Sequence, residues 1–283
     1  MRVGLASVRP MVRNPLSMIG IATIAIFVFT AVFAPFIAPY PEDVIAVHMD
    51  ARLLPPSTAH LLGTDEMGRD IFSRAVFGSR VSLTVIAVVV GLSAAVGILI
   101  GAVAGFLGGK IDEIVMRITD MFLAFPSILL AMAIAAALGP SLINAMIAIT
   151  TTWWPWYARL VRGQVLSIKE RPFVEAAVTL GAGKGRIIFR HILPNSLSPI
   201  LVQMSMDAGY VLLTAAGLSF IGLGAQPPTP EWGLMVSLGR IYMPQWWWCA
   251  TFPGLAIMIT VLGLNLIGDT LTEVLEPRGS KAG

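Results

Sequence analysis

Long stretches without a charged residue set the pattern of this chain. No Asp, Glu, Lys or Arg occurs from Asn14 to Pro41, Val81 to Gly109, Met121 to Ala158, Ala208 to Pro230, or Ile241 to Gly268. A helix needs about 20 apolar residues to cross a hydrocarbon layer roughly 30 Å thick. Each stretch therefore predicts a membrane span. The longest, Met121 to Ala158, predicts two, divided at Gly139-Pro140. Six spans result, over 16–39, 81–106, 116–138, 141–163, 195–221 and 249–269. The third begins among Asp112, Glu113, Arg117 and Asp120, which leaves its start the least defined boundary. The expected fold is an all-α membrane protein, one helical domain over 16–278 between a short N-terminal segment (1–15) and a tail (279–283).

Composition agrees. Of 283 residues, 56% are hydrophobic and 12% charged, with mean hydropathy +0.81, whereas soluble domains carry about a quarter charged residues. The first apolar run is too long for a signal peptide and no small-residue cleavage site follows it, so it reads as a retained helix. Basic residues orient the chain. With the N-terminus inside, only Arg52, Arg69, Arg74, Arg80 and Arg240 of the 19 Lys and Arg residues fall outside. Both termini and the polar segment 164–194 are then cytoplasmic. The net charge of +3 reflects those inner loops and predicts no nucleic-acid partner. Cys249 stands alone and predicts no internal disulfide.

Gly97, Gly101 and Gly105, preceded by Ala87, Gly91 and Ala95, place a small-residue face on the second span. Such faces let helices approach closely in lipid, here within the chain or against a partner subunit. The outer segment 222–248 is rich in proline and glycine and predicts an ordered loop rather than a helix. Trp246, Trp247 and Trp248 at its end fit an interfacial aromatic belt.

Catalytic groups are not evident. His48, His60 and His191 form no pair at metal-ligand spacing, so no metal site is predicted. The glycine-lysine clusters ending at Lys110 and Lys184 lack the P-loop spacing and its Ser or Thr, so the chain itself is not expected to bind ATP. Asp65, Glu66 and Asp70 interleave with Arg69 and Arg74, which favours an ion-pair network over a cation site. Asp207 falls near the middle of the fifth span, where a carboxylate is expensive. It either lines or gates a path, or bonds to a neighbouring helix. Trp153, Trp154, Trp156 and Tyr157 surround Pro155 in the fourth span. Of these, Trp153, Trp156 and Tyr157 join Asp207 as candidate pathway residues, with packing at a kink as the alternative.

One cytoplasmic segment is more strictly patterned than a connector requires. Glu175-Ala176-Ala177 is followed after three residues by Gly181, then after nine more by His191, Ile192, Leu193 and Pro194. This resembles the EAA loop of ABC importer permeases, with His191 where the general pattern has isoleucine. The string RHILPN is similar to the form in the dipeptide/oligopeptide/nickel subfamily. HLLGTDEMGRDIFSR, WYARLVRGQVLS, LSFIGLGAQPPTPEWG and FPGLAIMITVLGLNLIGD resemble its C-type subunit, so the likeness spans about residues 15–278. Gly268-Asp269-Thr270-Leu271-Thr272-Glu273 departs from the family's usual ending.

The resemblance implies a type I importer permease fold with a cytoplasmic coupling helix, in the inner membrane. It implies a second, B-type permease as partner in a heterodimer, two ATPase subunits carrying ATP and magnesium, and an extracytoplasmic substrate-binding protein. Glu175, Ala176, Ala177, Gly181, His191, Leu193 and Pro194 would form the ATPase contact. Di- or oligopeptides are the expected cargo. Nickel, glutathione, opines or oligosaccharides are alternatives in the same class, and an ion-coupled secondary transporter is an alternative outside it.

Overall fold

The computed structural model describes residues 14–275. The N-terminal segment expected over 1–15 lies almost wholly outside the described residues, and the tail 279–283 entirely so. Eleven α-helical segments follow one another among the described residues: α1 (Pro15–Val32), α2 (Ala34–Ile37), α3 (Ile71–Leu107), α4 (Gly109–Leu123), α5 (Ser127–Leu138), α6 (Leu142–Lys169), α7 (Pro172–Thr179), α8 (Lys184–Ile187), α9 (Leu193–Phe220), α10 (Trp232–Gly239) and α11 (Trp248–Leu275).

Their ends follow local chemistry. Asn14 caps α1 by accepting from Leu16 N–H at 3.1 Å, with Pro15 at the first helical position. Asp70 caps α3 through Ser73 N–H at 2.7 Å, and α3 stops at Gly108, whose φ is +64°. The break at Gly139-Pro140 divides α5 from α6. Asn144 Nδ2 closes it by donating to the carbonyls of Leu138 and Gly139, both at 2.9 Å.

By length and apolarity, the described helices that can cross a membrane are α1, α3, the run Lys184–Phe220 and α11. α4 and α5 qualify only as a pair bent by 87°. α6 has 28 residues but carries Arg159, Arg162 and Lys169 among its aromatics. The stretch read as a third span, 116–138, is therefore two helices. Pro126 lacks an N–H and disfavours helical geometry at Phe125, so the ladder breaks there.

Small residues set the packing. A Cβ built at Gly101 would sit 2.3 Å from Ala158 O, and one at Gly97 would sit 2.6 Å from Trp154 O. The glycine face thus serves contact within the chain, α3 against α6, while Gly91 faces open space. α1 meets α11 where Gly20 approaches the carbonyl of Gly263, and Thr270 Oγ1 bonds Ser17 Oγ at 2.8 Å. Between these pairs lies a core of Val85, Val89, Ile149, Tyr157, Val211 and Leu218.

The polar segments before α3 and after α9 are ordered by buried charge. Asp65 accepts from Arg69 Nε at 2.7 Å, and Arg69 Nη2 reaches Glu66 at 3.2 Å. Arg74, 1% exposed, lies 3.5 Å from Asp65 through Nε and donates to Val44 O at 2.6 Å and Pro228 O at 3.3 Å. The acidic cluster is an ion-pair network, as its interleaved arginines indicate. Burial, reinforced by neighbouring Asp65, raises the Glu66 carboxyl above the usual range. The segment 222–248, expected as a loop, contains α10. Glu231 caps it by accepting from the N–H groups of Gly233 and Leu234 at 3.0 and 2.8 Å. The tryptophan run also divides. Trp246 and Trp247 are exposed, while Trp248 is buried and donates through Nε1 to Thr64 O at 3.3 Å.

Candidate functional site

The patterned segment begins just beyond α6. Pro172 opens α7, and Gly181 closes it in a Schellman turn. Gly181 N–H donates to Val178 O at 2.9 Å and Ala182 N–H to Ala177 O at 3.0 Å, with Gly181 at φ +76°. A Cβ at Gly181 would meet nothing within 4 Å, so the left-handed backbone alone explains the glycine.

The two sides of α7 differ. Val174 is buried with Ile187, Ile188 and Ile192 against Val161, Val165 and Ile168 of α6, and Ala177 is buried as well. Glu175, Ala176, Val178, Thr179 and Leu180 face outward, Leu180 at 87% exposure. Phe173 and Phe189 are exposed nearby, and the Glu175 carboxylate makes no ion pair among the described residues. The face combines apolar side chains with one anion and is framed by exposed Arg171, Lys184, Arg186 and Arg190.

Beyond Gly181 the segment enters a long helical run. α8 continues without interruption through a π-helical turn, Ile188–Ile192, into α9. Leu193 N–H donates to Ile188 O, five residues back. Pro194 offers no N–H and its ring would crowd the carbonyl of Arg190, so a widened turn accommodates it. His191 and Leu193 sit half-buried in this turn, where the His191 carbonyl accepts from Asn195 Nδ2 at 2.6 Å. Pro194 is thus inside a 37-residue helical run rather than at its start.

The second candidate group lies higher, between α6 and α9. Asp207 is 6% exposed and flanked by Tyr157, Trp153 and Gln203, whose Nε2 donates to Oδ1 at 3.0 Å. Asp207 Oδ2 and Tyr157 Oη are buried with no hydrogen-bond partner. Trp153 and Tyr157 join this buried cluster, but Trp156 turns away at 49% exposure. Three of the four candidate pathway residues, Asp207, Trp153 and Tyr157, are therefore buried together, and Trp156 stands apart from them.

Among the described residues, no group of His, Cys, Asp or Glu is arranged to hold a metal. Sequence reasoning missed the bidentate pairing of Asp112 with Arg162, whose Nε and Nη2 both lie 2.6 Å from the carboxylate. Its charges are 50 residues apart, a separation that carries no local signal.

The patterned loop and its flanking spans fall inside a match to the family described as binding-protein-dependent transport system inner membrane component, over residues 97–281. The chain belongs to this family. Residues 7–56 also match the N-terminal transmembrane domain of oligopeptide transport permease C. The permease is 49% identical over 266 residues to the probable D,D-dipeptide transport system permease protein DdpC of Escherichia coli K12, covering 94% of this chain and 88% of that one. It is 47% identical to the dipeptide transport system permease protein DppC of Alkalihalophilus pseudofirmus, covering 94% and 87%. In fold it is similar to a chain of the inward-facing MetNI methionine ABC transporter, with TM-score 0.59 and 18% identity over 72% of this permease and 97% of that chain. Membership makes this permease a membrane component of a binding-protein-dependent system rather than a self-contained ion-coupled carrier.

Proposed function

We propose that the chain is the C-type permease of an ATP-driven importer of dipeptides or short oligopeptides, and that the face built on α7 seats an ATPase subunit. The observation that carries this reading is the loop's outward face. Leu180, Val178, Phe173 and Phe189 stand in water beside an unpaired Glu175, although their neighbours Val174 and Ala177 are packed. An exposed apolar cluster with a single anion on an otherwise satisfied segment is suited to a partner's cleft. The relatives' names support the cargo.

In this reading Glu175 pairs with a basic group of the ATPase, and Ala176 leaves the face shallow enough to enter the cleft. Gly181 sets the angle between α7 and the run that leads into the membrane. His191, Leu193 and Pro194 form the widened turn that receives the displacement. ATP closure moves α7, and α6 and α9 carry that motion toward the outer face. A B-type permease completes the path, and both termini lie in the cytoplasm. The permease has no catalytic residue of its own, and ATP and magnesium belong to the ATPases.

The test is uptake of a labelled dipeptide into vesicles holding the assembled complex, with its binding protein supplied. Uptake should require ATP and collapse in Leu180→Asp, with ATPase lost from the purified complex. Uptake driven by an ion gradient without ATP would overturn the reading. So would retention of ATPase by Leu180→Asp.

A further inference from the structure

The amphipathic helix α4 is not absorbed by the reading above. Ile111, Ile114, Ile118 and Met121, followed by Phe125 just past its end, recur at alternating three- and four-residue steps. All are exposed, at 48%, 59%, 46%, 64% and 61%. That spacing gathers them on one face of the helix. Lys110, Glu113 and Arg117 lie along one edge of the stripe and are exposed, while Thr119 on the far side is buried.

Two observations fix how α4 runs. First, its carboxylates grip α6 across that helix rather than along it. Asp112 binds Arg162, and Asp120 binds Arg159. The two carboxylates are eight residues apart on α4, about 12 Å, but their arginines are three apart on α6, about 4.5 Å. Second, α5 leaves α4 at 87°, and its 12 residues rise about 18 Å toward the turn at Gly139. α6 runs alongside the apolar helix α3, where Gly97, Gly101 and Gly105 meet Trp154, Ala158 and Arg162 in turn, so α4, which crosses α6, lies across the direction of α3.

We propose that α4 is an interfacial helix. It rests in the plane of the cytoplasmic leaflet, with the Ile111–Met121 stripe at the boundary between phospholipid headgroups and acyl chains. Lys110, Glu113 and Arg117 stay in water, as the polar edge of a surface-lying amphipathic helix does. Through Asp112–Arg162 and Asp120–Arg159 the lipid surface then sets the depth of α6 just before α7. The proposal rests on the membrane topology and not on the identity of the cargo.

The complete transporter, with cysteine-free partners, would be reconstituted in phosphatidylethanolamine–phosphatidylglycerol vesicles. Cys249 is the chain's only cysteine and is buried, so spin labels can be directed to Ile111→Cys, Ile114→Cys, Ile118→Cys and Met121→Cys one at a time. Relaxation by oxygen against a water-soluble nickel chelate reads their depth. The expected result is four labels at one shallow depth, within about 5 Å of each other, while labels at Glu113→Cys and Arg117→Cys contact the chelate. A depth that increases by about 15 Å from position 111 to 121 would make α4 part of a span and overturn the proposal. Labels shielded from both oxygen and chelate would overturn it equally, since a protein partner would then cover the stripe.

Discussion

The ion-pair network around Arg74 and the loop around Gly181 are both polar islands in an apolar chain, and they are built oppositely. Around Arg74 nearly every charge meets a partner inside the chain, and the side chains are buried. Around Gly181 backbone bonds from Leu180, Gly181 and Ala182 hold the turn, but Val178 and Leu180 stand exposed and the Glu175 carboxylate makes no ion pair among the described residues. Internal satisfaction marks a part that holds the fold together. A rigid backbone presenting unsatisfied side chains marks a part shaped for something outside the chain. Both contain conspicuous charged residues, so charge alone does not separate them. Pairing does.

The contrast predicts separable failures. Removing Arg74 takes one of two buried counter-charges from Asp65, which Arg69 still pairs, and leaves Val44 O and Pro228 O without their donor, a loss of about 3 kcal/mol, the lower end for a broken buried pair. Arg74→Met should therefore lower the unfolding temperature and the yield of the whole complex, as read by thermal denaturation in detergent. Leu180→Asp should leave that temperature unchanged and still abolish ATP-dependent uptake. If it destabilised the chain as Arg74→Met does, the comparison would break.

Gly101→Ala comes next. The added methyl meets Ala158 O at 2.3 Å, and overpacking of this kind costs about 1–3 kcal/mol. Scanning calorimetry should show it. Gly181→Ala has open space around its methyl but a left-handed backbone, costing about 1–2 kcal/mol confined to the loop. Hydrogen exchange at Gly181 and Ala182 should rise, with uptake reduced several-fold and global unfolding unmoved.

The smallest effect is expected at Glu66. Its folded pKa is raised above the ordinary carboxyl value of 4.5, so the folded state holds its proton more tightly than the unfolded one. That contribution is present at pH below 4.5 and is lost as pH rises through the folded value. Glu66→Gln should flatten the acid side of the stability profile, and a slope identical to wild type would place the titration elsewhere.

Much of this was legible beforehand for physical reasons. Apolar runs report spans because lipid leaves the backbone few alternatives. The turn at Gly181 was visible because a left-handed backbone needs glycine, whereas the widened turn before Pro194 was not, because a proline there equally suits the start of a span. The bend at Pro126 was hidden by a composition that stays apolar on both sides of it. The helix Trp232–Gly239 was hidden by the prolines before it, since the Glu231 cap acts only once the chain has turned inward. Trp156 was grouped with Trp153 and Tyr157 by adjacency, and helical rotation separates them. The Asp112–Arg162 pair depends on where α4 crosses α6, which no local pattern states.

The π-helical turn has a mechanical consequence. From Lys184 to Phe220 the chain forms one rod about 55 Å long. Its hydrogen-bond ladder is interrupted by the wide turn at Ile188–Ile192 and by Pro194 and Pro199. From Ile200 to Phe220 no proline recurs. The rod is therefore compliant near Lys184 and stiff over the rest of its length. A push delivered at Lys184 would be absorbed first as bending in that soft section. Only what exceeds the bending would tilt the stiff part, which makes the rod a filter that passes large strokes and damps small ones.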